Sequence, residues 1–276
     1  RDRSVSRGLG DVYKRQLLDF NLLPSDCNFY DGVYTIPYRS YYSKNIKNLY
    51  MAGRDISTTR LGLASTRIIG CCAIGGEAVG IAAALCNKYA CDPRELAPHV
   101  KELQQLILKE DGFLPGFKNE DEKDLALKAK ITASSWEQGG EPEKVANGIS
   151  RKLGEEQNGW VTKPGECLIM KWDETKEIRE IRLTFESNFA YPIRVTMAPL
   201  RQAQQRNGVP EELVKDVKIE LYREGKKTGE AFVKDNYQRL CSVGIGDVPA
   251  DEIRVIPEST NGAEQAVIHE IRVYAK

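Results

Sequence analysis

Residues 48–85 read NLYMAGRDISTTRLGLASTRIIGCCAIGGEAVGIAAAL. Leu49, Tyr50, Met51 and Ala52 are a short apolar run that predicts a buried strand, Gly53 supplies a turn, and the Ser and Thr residues that follow make a polar loop. From Ile68 to Cys86 Glu77 is the one charged residue, so a long apolar helix is predicted there. Gly70, Gly75, Gly76 and Gly80 would let another backbone or a flat ligand approach that helix closely. Its length and composition also raise a membrane span. The central carboxylate, the glycines and the amphipathic helix just beyond favour a buried helix of an α/β domain instead, with no membrane span.

Downstream, Asp92 suits a helix cap and Pro93 a first helical position, and Leu96, Val100, Leu103, Leu106 and Ile107 line one face of a helix that should stop near Asp111 and Gly112. Residues 118–130, KNEDEKDLALKAK, are dense in charge and read as a linker. Beyond them the period changes from helical to alternating. Ile181, Leu183 and Phe185 alternate with polar neighbours, as do Val217, Ile219 and Leu221, then Ile253 and Val255, then Ile271 and Val273. Short alternating strands separated by Gly, Pro and Asn turns predict an antiparallel β-sandwich over residues 131–276.

The 40 Lys and Arg of the 276 residues balance 40 Asp and Glu, and no segment is a polybasic arm or an acidic tail. Charge therefore gives no case for a nucleic-acid partner or an anionic membrane surface. Seven cysteines form no CxxC pair, and the two histidines, His99 and His269, supply neither a zinc spacing nor a His-based triad. Asn147 and Asp173 are two scattered oxygen donors, far short of a calcium shell, so no metal is assigned.

Residues 1–16, RDRSVSRGLGDVYKRQ, have neither period nor an apolar signal core and resemble a translated sequencing adaptor. They are set aside, with the expectation that the true N-terminus and any targeting signal lie elsewhere, which leaves localisation unassigned.

The strand, the Ala-Gly-Arg turn, the Ser-Thr-Arg triplet and the Gly-rich helix occur in order within residues 48–85. With YTIPYRSYYSKNIKNL before them and DPRELAPHVKELQQLILKEDGFLPGF after them, they resemble the C-terminal FAD-contacting segment of the FAD-dependent oxidoreductases, two-dinucleotide-binding-domain flavoproteins. The resemblance spans residues 17–117. It implies FAD as cofactor, an α/β flavoprotein fragment, and Ala52, Gly53, Arg54, Asp55, Ser65, Thr66, Arg67 and Gly76 as flavin-side residues. In related fumarate-reductase-like proteins an Arg of a similar triplet lies beside substrate, so Arg67 is also the candidate catalytic residue. No GxGxxG turn follows a strand in this sequence. The chain is thus expected to hold an incomplete FAD site whose other half, the N-terminal Rossmann half of the same protein, is missing.

The tail, with its Ala-Ser-Ser opening at residues 133–135, its Asn147-Gly148 turn, its Trp160 strand and its closing His-Glu-Ile-Arg-Val-Tyr, resembles discoidin-like, galactose-binding-like (jelly-roll) domains. Such sandwiches bind ligands, often sugars, with loops at one end. Trp136, Trp160 and Tyr191 are the carbohydrate candidates, with Trp160 and Trp172 also fitting core positions. The implied function is a flavin-mediated hydride or electron transfer on a small-molecule or carbohydrate substrate, with an accessory sandwich. The alternative is a non-catalytic carbohydrate-binding or adhesion protein on an α/β scaffold.

Overall fold

The structure, a computed structural model, describes residues 34–189, 199–203, 205–206 and 208–276. The adaptor-like stretch, the rest of residues 1–33 and Tyr191 lie outside them. The chain divides into two units between Phe117 and Lys118.

In the first unit the run expected as a strand is a single antiparallel bridge, Tyr42 to Tyr50. Met51 donates its N–H to the Tyr41 carbonyl at 2.7 Å and Ser43 to that of Leu49 at 2.9 Å. The loop expected after the turn instead contains a helix, α1 (Arg60–Thr66), because the Thr59 hydroxyl caps it by accepting from the Gly62 N–H at 3.1 Å. Helix α2 (Ile69–Tyr89) begins one residue after the expected start. The amphipathic helix α3 (Val100–Lys109) begins eight residues later than Asp92. Pro98, which has no N–H for a helical bond, confines the intervening chain to a turn and a 3-10 segment, Ala97–His99. Asp92 does not cap; its own N–H donates to the Glu95 carboxylate at 3.0 Å. The stop falls where expected: Asp111 is left-handed and the Gly112 N–H closes on the Ile107 carbonyl at 2.9 Å.

Ala82 and Leu85 of α2 pack with Leu96, Leu103 and Ile107 in the core of this unit. Among the described residues, the buried residues of helix α2 are Gly75, Ala82 and Leu85. Its Ile69 and Ile74 are 77% and 58% exposed, and by length and composition the helix is long and apolar enough to cross a membrane.

The second unit is an antiparallel β-sandwich with, among the described residues, seven strands: β1 (Lys130–Ala133), β2 (Trp160–Thr162), β3 (Leu168–Phe185), β4 (Val214–Arg223), β5 (Lys226–Val233), β6 (Leu240–Thr260) and β7 (Ala266–Ala275), with a short helix α4 (Pro199–Ala203) before β4. The two long strands belong to both layers. The first part of β3 pairs with β1 and with the end of β6, which pairs onward with β4 and then β5; the second part of β3 lies between the start of β6 and β7, which carries β2. The change of layer coincides with a register break between Lys171 and Lys176. All the alternating residues singled out on β3, β4, β6 and β7 are buried in one core. A bulge between Ile178 and Glu180 puts Ile178 and Ile181, three residues apart, on the same inner face.

Residues 118–130 are not a solvated linker but part of this unit. Asp124 is buried, accepting from the Val273 N–H at 2.9 Å, the Ala126 N–H at 3.0 Å and the Asn119 side-chain amide at 2.7 Å. The Asn119 backbone donates to the Gly148 carbonyl at 2.9 Å. Charge density concealed this, because two of the three buried residues are the polar Asn119 and Asp124 and the third is the small Ala126.

Candidate functional site

In the first unit Ala52, Arg54 and Asp55 are exposed on one turn, set by the left-handed φ of +95° at Gly53 and anchored by the buried Ile56. The turn lies near the first turn of α2. The Cys72 thiol there is pushed up chiefly by burial and by Cys71, with Arg54 pulling it down and Asp55 pushing it up. Ile68, the N-cap of α2, offers no side-chain hydrogen bond to the N–H groups of that first turn. Arg67 is half-buried at the junction of α1 and α2, and Gly76 is half-buried on α2 with open space where a Cβ would stand.

Ser65 and Thr66 are differently placed. Both are buried; the Thr66 hydroxyl donates back to the Gly62 carbonyl at 3.1 Å and the Ser65 carbonyl accepts from the Tyr34 hydroxyl at 3.0 Å. The Thr66 hydroxyl and the Ser65 carbonyl are thus engaged within the fold.

Two features of this unit had no signal in the motif reading. Tyr38 and Tyr50 share a 2.5 Å hydroxyl contact; Tyr38 also donates to the Pro93 carbonyl at 2.6 Å, and Tyr50 meets the Cys86 sulfur at 3.3 Å. Burial pushes Tyr38 up to about 12, and Tyr50 is also raised by burial and by its Cys86 and Tyr38 hydrogen bonds. The second feature is a cleft of about 500 Å³ whose lining includes Arg39, Tyr42, Lys44, Asp55 and Arg94.

In the sandwich, both ends of β3 lie at one end of the molecule's second unit. Ser134 donates its N–H to Cys167 just before β3; the neighbouring Ser135 carbonyl accepts the Trp160 indole N–H at 2.9 Å; and Trp160 pairs with Ile268, which pairs with Phe185 at the end of β3. Trp136 stands at this end, 50% exposed. Trp160 does not: it is fully buried in the core, which removes it as a stacking surface. Trp172 is half-buried and donates its indole N–H to the Leu125 carbonyl at 2.9 Å. Asn147 is engaged locally, accepting from the Ile149 N–H at 2.8 Å and donating to the Asn158 side chain at 2.9 Å. Among the described residues no group of His, Cys, Asp and Glu is placed to hold a metal ion.

Phe189, which the sequence reading passed over, is 60% exposed at the same end, with Arg239 4.5 Å and Arg151 5.2 Å from its ring centre. Arg239 is held by the Phe185 carbonyl at 2.5 Å and by that of Ser150. Beneath lies His269, buried between the Asn158 carbonyl and Glu186, whose carboxylate is 3.1 Å from Nε2. Burial pushes Glu186 up, but the His269 hydrogen bond and charge, the Asn188 N–H and the Arg239 charge outweigh it and hold the carboxyl at about 2.

A family model described as FAD dependent oxidoreductase matches residues 23–107. No curated protein matches the chain. Among solved structures, a fucose binding module of Streptococcus pneumoniae is similar at 13% identity, with 57% of this chain and 99% of that one covered and a TM-score of 0.41. The family 32 carbohydrate-binding module of Streptococcus pneumoniae EndoD is similar at 13% identity, covering 55% and 99%, TM-score 0.42. The family 32 module of C. perfringens NanJ, solved with galactose, is similar at 16% identity, covering 55% and 98%, TM-score 0.40.

Proposed function

We propose that the first unit is the flavin-contacting end of an FAD-dependent oxidoreductase and that the sandwich is its accessory carbohydrate-binding module. The observation that carries the first part is the match at residues 23–107, which encloses the exposed turn and the start of α2. The residues suit a flavin. Among the described residues the Asp55 carboxylate has no hydrogen-bond partner, so it is free to accept from ribityl hydroxyls. The backbone at Gly53 is open on the side of the turn, where a Cβ would meet nothing nearer than Asp55 at 3.9 Å.

When bound, FAD supplies hydride or electron transfer. This chain's part is to bind and orient. Asp55 would hold the ribityl chain, the N–H groups opening α2 present the positive end of the helix dipole, and Arg67 at the same junction would add a cation to favour the charge that the flavin gains on reduction. The exposed side of α2, with Ile69 and Ile74, packs against the dinucleotide-binding half, supplied by polypeptide other than residues 34–117. In the sandwich, Trp136 and Phe189 offer aromatic faces for sugar rings, with Arg151 and Arg239 as donors beside Phe189.

The test is Asp55→Ala in the protein carrying its dinucleotide-binding half. Loss of a charge-assisted hydrogen bond should weaken FAD retention by about one to two decades. Equal flavin content in variant and parent overturns the role of Asp55.

A further inference from the structure

We propose that the cleft lined by Arg39, Lys44, Asp55 and Arg94 is an oxyanion site that takes a phosphate-type group bearing two or more negative charges. The proposal goes beyond the flavin reading and does not depend on it. The cleft's volume, about 500 Å³, suits a small ligand or one end of a larger one.

Its charged lining is three cations against one carboxylate. Among the described residues the Arg39 guanidinium, the Lys44 ammonium and the Asp55 carboxylate have no hydrogen-bond or ion-pair partner, so the excess positive charge is not neutralised by the protein. Arg94 is oriented: its Nη2 donates to the Lys44 carbonyl at 2.9 Å, which ties the guanidinium to the wall of the cleft and leaves its other donors unspent. The backbone that carries these groups is itself fixed, since Ser57 donates to the Ser40 carbonyl at 2.8 Å and Met51 to that of Tyr41 at 2.7 Å.

Cations gathered around a concavity repel one another and focus a positive potential into it, and a multiply charged anion relieves both. Two guanidinium groups match the edges of a phosphate-type oxyanion, and a lysine adds a point charge. A neutral sugar would leave the three cations uncompensated. Asp55 in the same lining works against a dianion, so removing its charge should strengthen anion binding.

The experiment is calorimetric titration of inorganic pyrophosphate into the 276-residue chain at low ionic strength. Saturable binding is expected, weakened about tenfold by Arg39→Gln and by Lys44→Gln, each of which removes one charge-assisted contact. Asp55→Asn should tighten pyrophosphate several-fold, whereas in the flavin reading it weakens FAD retention, so failure of one reading is distinguishable from failure of the other. ADP binding tighter than pyrophosphate assigns the site to a nucleotide, and the reverse order to a phosphorylated small molecule; either outcome supports it. All three side chains are exposed and unpartnered, so the variants should melt with the parent. Absence of binding, equal affinity in Arg39→Gln, or weaker binding in Asp55→Asn overturns the proposal.

Discussion

The ring of Tyr41 lies against the backbone of Gly75, so close that a Cβ at Gly75 would stand 2.9 Å from both the ring's Cε1 and its hydroxyl oxygen. Of the four glycines that mark α2, this one is occupied by the protein itself, while Gly70, Gly76 and Gly80 have nothing within 4 Å. The contact joins the segment before residue 49 to the glycine-rich helix and places the buried Tyr41 in the first unit's interior.

Gly75→Ala is therefore expected to destabilise the first unit by about 1 to 3 kcal/mol through overpacking, despite the better helix propensity of alanine. Gly80→Ala, with open space at its Cβ, should stabilise by about 0.5 to 1 kcal/mol. Denaturant melts of the two variants check this; a Gly75→Ala protein as stable as Gly80→Ala would contradict the Tyr41 contact.

Glu186 governs an acid-sensitive link in the sandwich. Its folded value of about 2 lies below the usual carboxylate range, so its contribution is complete above the unfolded value and is lost as pH falls toward 2. The difference corresponds to about 3 kcal/mol between pH 6 and pH 2. Glu186→Gln should show a correspondingly flatter stability profile over that range, measured by urea midpoints at stepped pH. Parallel profiles for variant and parent would exclude the His269 pairing as the cause.

The two tryptophans at the Ser134 and Ser135 corner should separate cleanly. Trp160→Ala, which empties a fully buried site and leaves the Ser135 carbonyl with the Thr162 hydroxyl alone at 3.3 Å, is expected to cost about 3 to 5 kcal/mol. Trp136→Ala should leave the thermal midpoint within about a degree or two, since exposed substitutions cost little, and, if the sandwich is a carbohydrate-binding module as proposed, should lower glycan binding on an array. Loss of stability in Trp136→Ala, or unchanged glycan binding, counts against its place as an exposed contact.

The alternation of Ile181 and Leu183, of Val217, Ile219 and Leu221, and of Ile271 and Val273 made the sandwich legible, because burial of one sheet face imposes a period of two on the sequence. The bulge at Ile178 was not legible, since it depends on pairing with β7. Helix α1 was hidden by Gly62 and by the run of Ser and Thr, whose tendency to turn was overridden by the Thr59 cap. At the candidate site, the turn 53–55 was readable from its motif. The cleft was not, because Arg39, Lys44 and Arg94 are brought to Asp55 by chain folding across residues distant in sequence.

The same reasoning revises the second unit's start. A fragment of residues 118–276 should fold as a cooperative β-rich unit. One of residues 131–276 should be weaker by about 2 to 4 kcal/mol, having lost Asp124 and left the buried Val273 N–H unpaired. Thermal melts followed by circular dichroism decide it, and equal midpoints would restore residues 118–130 to the status of a linker.

The most direct measurement on the central claim is the flavin content of the protein purified with its dinucleotide-binding half, read as released FAD per polypeptide together with the visible spectrum. The flavin reading requires a yellow protein with FAD approaching one per chain, lowered by Asp55→Ala and unaffected by Trp136→Ala. A colourless protein that takes up no FAD when the cofactor is supplied would contradict it.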